Sequence, residues 1–252
     1  MTLSVVPAAF ADLHDLRATY LASLPEPQEF HCERLSRQGQ PFLLVQADEV
    51  RGYAITDGAS ILVEFHTTDC GLFGPFVEHT GVRRVLCKSF DEPLRDACVR
   101  RAARATTKGL LFRKIVDPGF TPDPAIQVRI AHEQDIPAVM AANDGFFGDD
   151  AEALDYARAG QLFLYETASA LAGCGLLQRV TPDREVYDIG MMVTPGQRRR
   201  GFGRHIVQHL VSLCLTAGKR PIAGCSVENR ASQKCLESAG FRSEHQLIEF
   251  AW

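Results

Sequence analysis

Apolar and polar positions along the chain fall into short periodic runs with sharp breaks between them. Residues 39–52, GQPFLLVQADEVRG, read as strand, polar turn, strand, and so do residues 160–173, GQLFLYETASALAG. The run EVYDIGMMV, 185–193, is rich in apolar and β-branched residues and predicts a strand, which Thr194, Pro195 and Gly196 break. The period then changes. Phe202, Ile206, Leu210, Leu213 and Ala217 recur at helical spacing, and Gly218 predicts the stop. The Pro/Gly-rich stretch DPGFTPDP, 117–124, reads as a linker.

The two strand–turn–strand segments also match residue by residue. Gly39/Gly160, Gln40/Gln161, Phe42/Phe163, Leu43/Leu164, Ala47/Ala168 and Gly52/Gly173 coincide at one offset. At a second, longer offset, GVRRVLCKSFD from Gly81 sits over GKRPIAGCSVE from Gly218, Cys98 falls on Cys235, and Ala102 on Ala239. A repeat of this length implies two copies of one domain, with extra chain in one interval of the second copy. That interval holds VTPGQRRRGFGRHI, whereas the first copy has HTTDCGLFGPFVEHTG there. The expected boundaries are 1–116, a linker at 117–125, and 126–252.

Composition fits a globular chain: 252 residues, 46% hydrophobic and 23% charged, with a net charge of −4. No apolar run has the length of a membrane span, and MTLSVVPAAF lacks the pattern of a signal peptide, so a cytoplasmic protein without a membrane partner is expected. The eight cysteines include no CxxC pair and read as reduced core thiols. His205 and His209 lie four apart without a third ligand, so they read as exposed helix histidines and no metal is expected. Against the acidic background, Arg198, Arg199, Arg200 and Arg204 crowd around Gly201 and Gly203. They stand between a strand and a helix N-terminus, where backbone N–H groups lack intrahelical partners and the helix dipole is positive. Glycine admits an anion close to the backbone, and arginine forks suit phosphate oxygens. The implied ligand is a phosphate group, most simply a pyrophosphate. Four arginines at one turn of an acidic chain are too local for nucleic acid.

No GK[ST] P-loop is present, and only GxG of the dinucleotide-binding GxGxxG. Arg198, Gly201 and Gly203 match instead RxxGxG, the loop that binds the pyrophosphate of coenzyme A, with Val193-x-Pro195 as its lead-in. Here the chain resembles the GNAT superfamily of N-acetyltransferases. QVRIAHEQDIPAVMAAND looks like that family's first strand and helix. SVENRASQKCLESAGF, with Asn229 followed by Gly240 and Phe241, looks like its last segment.

The resemblance implies an α/β fold (an α+β mixed sheet). It implies two tandem GNAT-like domains, each a central mixed β-sheet flanked by helices, the first a degenerate copy without the CoA loop. It implies acetyl-CoA as co-substrate, an amine as acceptor, and direct attack on the thioester. The CoA-binding set would be Met191, Met192, Val193, Arg198, Arg199, Arg200, Gly201, Phe202, Gly203, Arg204, Asn229 and Ser232. Asp188, then Glu185, are the candidates for the base. The family's usual tyrosine acid is here Leu236, so the thiolate leaves unassisted or with help from Ser232 or water. Cys225 and Cys235 read as buried thiols. The acceptor would lie near DGFFGDD, 144–150, and CSVEN, 225–229, where Asp149 and Asp150 can also start a helix. The competing function is a non-catalytic module that binds acyl-CoA. A homodimer is compatible with either.

Overall fold

One order of elements is formed twice. The computed structural model describes residues 3–101, 104–116 and 119–252; Ala102 of the repeat and the linker residues Asp117 and Pro118 lie outside the described residues. The first run begins with β1 (Ser4–Pro7), a 3-10 turn, α1 (His14–Ser23), α2 (Phe30–Gln38), β2 (Gln40–Gln46), β3 (Glu49–Thr56) and β4 (Ile61–Thr67). It continues with a 3-10 turn (Cys70–Leu72), α3 (Phe73–Thr80), β5 (Arg84–Lys88), α4 (Glu92–Arg100) and β6 (Arg104–Ile115). The second run repeats that order: β7 (Gln127–Ile130), a 3-10 turn, α5 (Ile136–Ala141), α6 (Asp150–Arg158), β8 (Leu162–Thr167), β9 (Ala170–Arg179) and β10 (Val186–Val193). A 3-10 turn (Pro195–Gln197), α7 (Phe202–Thr216), β11 (Arg220–Ser226), α8 (Arg230–Ser238) and β12 (Phe241–Ala251) complete it. No helix among the described residues is long and apolar enough to cross a membrane.

The chain divides into two compact units, Met1–Leu111 with His245–Trp252, and Phe112–Glu244. In the first unit the strand order is β1-β2-β3-β4-β5-β12, and in the second β6-β11-β10-β9-β8-β7. This division differs from contiguous segments at 1–116 and 126–252. Residues Leu247–Ala251 pair antiparallel with Lys88–Arg84, so the chain's last strand ends in the first unit. The end of β6, from Phe112, lies beside β11, where Arg113 Nη1 donates to the Ala223 carbonyl at 3.0 Å. Both units have mixed sheets, with antiparallel hairpins followed by one parallel crossover, β4 to β5 and β10 to β11.

The repeated strand–turn–strand segments are the hairpins β2–β3 and β8–β9. In the first hairpin Ala47 and Asp48 both take positive φ, +53° and +61°, the twist that a two-residue turn needs to match its strands. In the second unit, α7 buries Ile206, Val207, Leu210, Val211 and Cys214. Leu213 of the predicted helical face is 36% exposed, because the apolar stripe centres on the Ile206–Leu210 line. An added Cβ at Gly175 would lie 2.8 Å from Leu210 Cδ1, so glycine lets α7 approach β9. Ile136, Val139, Phe147, Ala153 and Met192 belong to a second cluster built around α5 and α6.

The first unit buries charge as well as apolar surface. Arg17 Nη2 reaches Glu33 Oε2 at 2.6 Å and Glu64 Oε1 at 2.7 Å. Ser36 and Tyr53 hydroxyls donate to Glu64 at 2.6 and 3.0 Å, and Lys88 Nζ donates to Gln28 Oε1 at 3.0 Å. Burial pushes the Glu64 carboxyl up, but the Arg17 guanidinium, Lys88 and the Ser36 hydroxyl outweigh it and hold the group down at about 2. The cysteines divide. Cys32, Cys87, Cys98, Cys174 and Cys214 are core thiols, whereas Cys70 is exposed and Cys225 and Cys235 are half-buried.

Removing one member of such a cluster strands its partners. Arg17→Met is expected to cost about 3–5 kcal/mol in urea unfolding, since two buried carboxylates lose their cation. The pH dependence has a definite sign. A carboxyl lowered from 4.5 to about 2 stabilises fully above 4.5 and loses that contribution as pH falls through about 2. The wild type should therefore lose stability over that window, and Glu64→Gln should flatten the loss.

Candidate active site

Strand β10 has a different neighbour on each edge, and the two pairings differ in length. Against β9 the register runs unbroken from Tyr187↔Arg179 to Val193↔Gly173. Against β11 it covers only Val186–Asp188 with Arg220–Ile222, although β10 continues to Val193 and β11 to Ser226. The strands therefore part after Asp188. Antiparallel ladders alternate which residues bond to the neighbour. Val180 N–H donates to the Val186 carbonyl and Thr194 N–H to the Ala172 carbonyl, which fixes that alternation. By this parity Met192 turns its main-chain groups to β9, while Ile189, Met191 and Val193 turn theirs into the gap. The Met192 side chain is buried in the core of the second unit.

The turn after β10 and the start of α7 flank this gap. Arg199 takes φ +62° and Gly201 φ +87°, which brings the chain from the 3-10 turn into the helix. No side chain caps α7. The two loop glycines serve different ends. A Cβ at Gly201 would meet nothing within 4 Å, so that position combines a left-handed conformation with open space before the helix. A Cβ at Gly203 would lie 2.7 Å from Cys235 Sγ and 3.3 Å from Val193 Cγ2, so that glycine lets α7 pack on α8 and β10. Arg199, Arg200 and Arg204 are exposed, with the Arg200 guanidinium bonded to Gln197 and 5.3 Å from the Phe202 ring centroid. Arg198 Nη2 bonds Asp144 Oδ2 at 2.7 Å and its Nε reaches the Val193 carbonyl at 3.3 Å. This link, which motif spacing does not reveal, ties the arginine loop to the 144–150 segment.

Asp188 is the last β10 residue paired with β11, so it stands where the gap begins. Parity puts it on the same sheet face as Gly190, whose added Cβ would meet Phe146 Cζ at 3.1 Å. The unbroken β9–β10 register removes any bulge between Tyr187 and Val193 that would invert this facing. Glu185 precedes the strand and bonds Arg179. In the 144–150 segment Asp149 caps α6 through the Glu152 N–H at 2.8 Å, and Asp150 is the helix's exposed first residue. Asn143 Oδ1 accepts from the Phe146 and Phe147 N–H groups and fixes the turn between them.

Asn229 caps α8 by accepting the Ser232 N–H at 3.0 Å. Burial pushes the Cys225 thiol up, and a hydrogen bond from the Ser232 hydroxyl partly offsets this. Cys235 is pushed up to about 11 by burial, and Leu236 is buried in the core. No tyrosine therefore stands at that helical position. The pair His205 and His209 is partly buried, not exposed. Tyr165 OH and His209 Nδ1 are 2.8 Å apart, and Phe120 packs 5.1 and 5.3 Å from the two imidazoles. Burial holds both histidines below their ordinary range. The helical period alone gave no sign of Phe120, which lies within the 117–125 linker.

Residues 130–241 match the model of the acetyltransferase (GNAT) family. No curated protein sequence matches the chain. Among solved structures, a GNAT-family acetyltransferase from Colwellia psychrerythraea superposes with a TM-score of 0.88 at 17% identity, covering 100% of both chains. A tandem GNAT protein from the clavulanic acid biosynthesis pathway gives 0.67 at 14% identity, over 99% of this chain and 98% of that one. A GCN5-related N-acetyltransferase from Sphaerobacter thermophilus gives 0.66 at 15% identity, over 98% and 94%. These likenesses establish a fold shared with GNAT proteins.

The contrast between the two loop glycines can be measured. Gly203→Val should cost about 1–3 kcal/mol in urea unfolding by overpacking the α7–α8 contact, and Cys235→Ala in the same chain should recover part of that loss. An unaltered Gly203→Val midpoint, or no recovery, would contradict the packing role.

Proposed function

We propose, from the acetyltransferase (GNAT) domain at residues 130–241, that this protein transfers the acetyl group of acetyl-CoA to a primary amine of a small molecule or peptide. The observation that carries this reading is the parting of β10 from β11 beside the uncapped start of α7. The free N–H groups before and within the first turn of α7, with Arg199, Arg200 and Arg204, would take the pyrophosphate. Arg198 would join them by exchanging Asp144 for phosphate. The pantetheine arm would run along the open edge of β10, bonding to Met191 and Val193. Met192 would contribute by filling the core beneath them, and Asn229 and Ser232 would border the site from α8.

In the reaction the amine nitrogen attacks the thioester carbonyl carbon. The new C–N bond forms, the C–S bond breaks, and its electron pair leaves on sulfur as a thiolate. An alkylammonium has a pKa near about 10, so it must first lose a proton, and Asp188 is the group we assign to receive it. Preorganised N–H groups on the β10 edge would stabilise the tetrahedral oxyanion, an effect worth about 3 kcal/mol or more. A thiolate is stable enough to leave without a tyrosine acid, with water or the Ser232 hydroxyl available to protonate it. The first unit would bind no CoA. Its corresponding turn lacks the arginine–glycine run, and there Asp69 accepts the Gly71 N–H at 2.9 Å. The buried Leu236 favours the competing reading, a module that binds acyl-CoA without turnover.

Calorimetric titration should give saturable acetyl-CoA binding that Gly201→Val abolishes; no binding to the wild type at millimolar ligand would end the proposal. Free-thiol release across a panel of amines and peptides separates enzyme from binding module, the latter giving binding without turnover. Asp188→Asn should lower kcat most at low pH, where the amine is protonated, with acetyl-CoA affinity nearly unchanged. An unaltered pH–rate profile would remove Asp188 from the role.

A further inference from the structure

The first unit has its own parting of parallel strands. β4 pairs with β5 only over Ile61–Leu62 with Arg84–Val85, although β4 runs on to Thr67 and β5 to Lys88. Beyond that point lies a cavity of about 360 Å³, within the size range of small-molecule sites. Its walls include four aromatic rings, Tyr20, Phe65, Phe73 and Phe90, with His66 and Asp91 among the polar groups. Phe65 and Phe73 meet edge to face at 5.3 Å, and Tyr20 lies 5.5 Å from His66.

The electrostatics of this cavity are opposite to those of the arginine loop. Among the described residues no lysine or arginine lines it. Burial holds the His66 imidazole below its ordinary range, outweighing the nearby Asp91. Asp91 is 3% exposed; its Oδ2 accepts the Tyr20 hydroxyl at 2.6 Å and its Oδ1 the Leu94 N–H at 3.4 Å. Glu92 beside it is exposed at the same wall. Among the described buried residues of this unit, Arg17 and Lys88 face four carboxylates, Glu29, Glu33, Glu64 and Asp91. The half-exposed Arg37 also pairs with Glu33. The turn before α3 already carries the Asp69 carboxylate on its Gly71 amide. An anionic ligand would meet like charge at Asp91 and Glu92.

We propose that this cavity is a second ligand site, which takes a small organic ammonium with an apolar body of about aromatic-ring size. The ammonium sits against the Asp91 carboxylate and the faces of the aromatic walls, where a cation is attracted both by the charge and by the ring quadrupoles. The apolar body replaces water along Phe65, Phe73 and Phe90. This site is independent of the acetyl-transfer reading of residues 130–241, and it gives the parted strands of a unit without the arginine–glycine run a ligand of their own.

Cys70 provides a local reporter, since it lines the cavity and is exposed. Phenethylamine should slow alkylation of Cys70 by N-ethylmaleimide in the full-length chain, saturably and equally in the Gly201→Val variant. Phenylacetate and 2-phenylethanol, of the same size but anionic and neutral, should protect at least tenfold more weakly. Asp91→Asn, which keeps the α4 cap, should weaken protection about tenfold or more. If that variant does not fold, Ser23→Trp at the exposed rim, which fills the cavity, should abolish protection instead. Equal protection by phenylacetate or phenylethanol would overturn the proposal. So would unchanged protection in a folded Asp91→Asn or Ser23→Trp chain, or no protection by the amine up to about 10 mM.

Discussion

Backbone N–H and C=O groups must find partners, and one edge of β10 beyond Asp188 finds none in β11. That constraint organises the second unit. A strand edge left open inside a sheet requires something else to bond with it, and an extended ligand carrying amides can add to it as a strand would. The neighbouring parts agree with this need. The β9–β10 register is unbroken, so Met191 and Val193 face the gap in a fixed way. Gly203 brings the start of α7 against Val193, which sets the helix's free N–H groups at the end of the open edge. Gly201 and Arg199 take left-handed conformations that such an abrupt entry into a helix demands. In the proposed reading, edge, turn and helix start form one anion-and-amide receptor.

The first unit has the same order of elements and the same kind of strand parting, but opposite chemistry around it. Where the second unit has arginines at the turn before α7, the first has Asp69 at the turn before α3 and buried carboxylates in its core. The topology supplies a cleft, and the side chains decide which sign of ligand can enter. The cost of burying Glu64, Glu33 and Lys88 is met by their bonds to Ser36, Arg17 and Gln28, so the cluster is stable only while it is complete.

Much of this was legible in the sequence, for physical reasons. The change from strand to helical period at 185–217 locates β10 and α7, because burial on one face must follow the geometry of each element. The duplicated hairpin is visible because Gly, Phe and Leu recur where the same turns and core positions recur. The exchange of β12 was not legible, since local periodicity says that a strand exists and not which strand it pairs with. The Arg17–Glu33–Glu64 cluster also escaped notice, because its members are spread from α1 to β4 and read singly as surface charges. Gly201 and Gly203 look equivalent in RxxGxG, yet one serves open space and the other helix packing. The Arg198–Asp144 pair joins residues 54 positions apart, beyond any motif.

The most direct test of the central claim is amide hydrogen exchange of β10, read residue by residue with and without acetyl-CoA. Met192, bonded to β9, should already be protected in the free protein. Met191 and Val193 should exchange faster and become protected on binding, together with the amides of residues 199–204. Protection of Met191 and Val193 before any ligand is added, or protection appearing on Met192 and at residues 69–73 of the first unit instead, would contradict it.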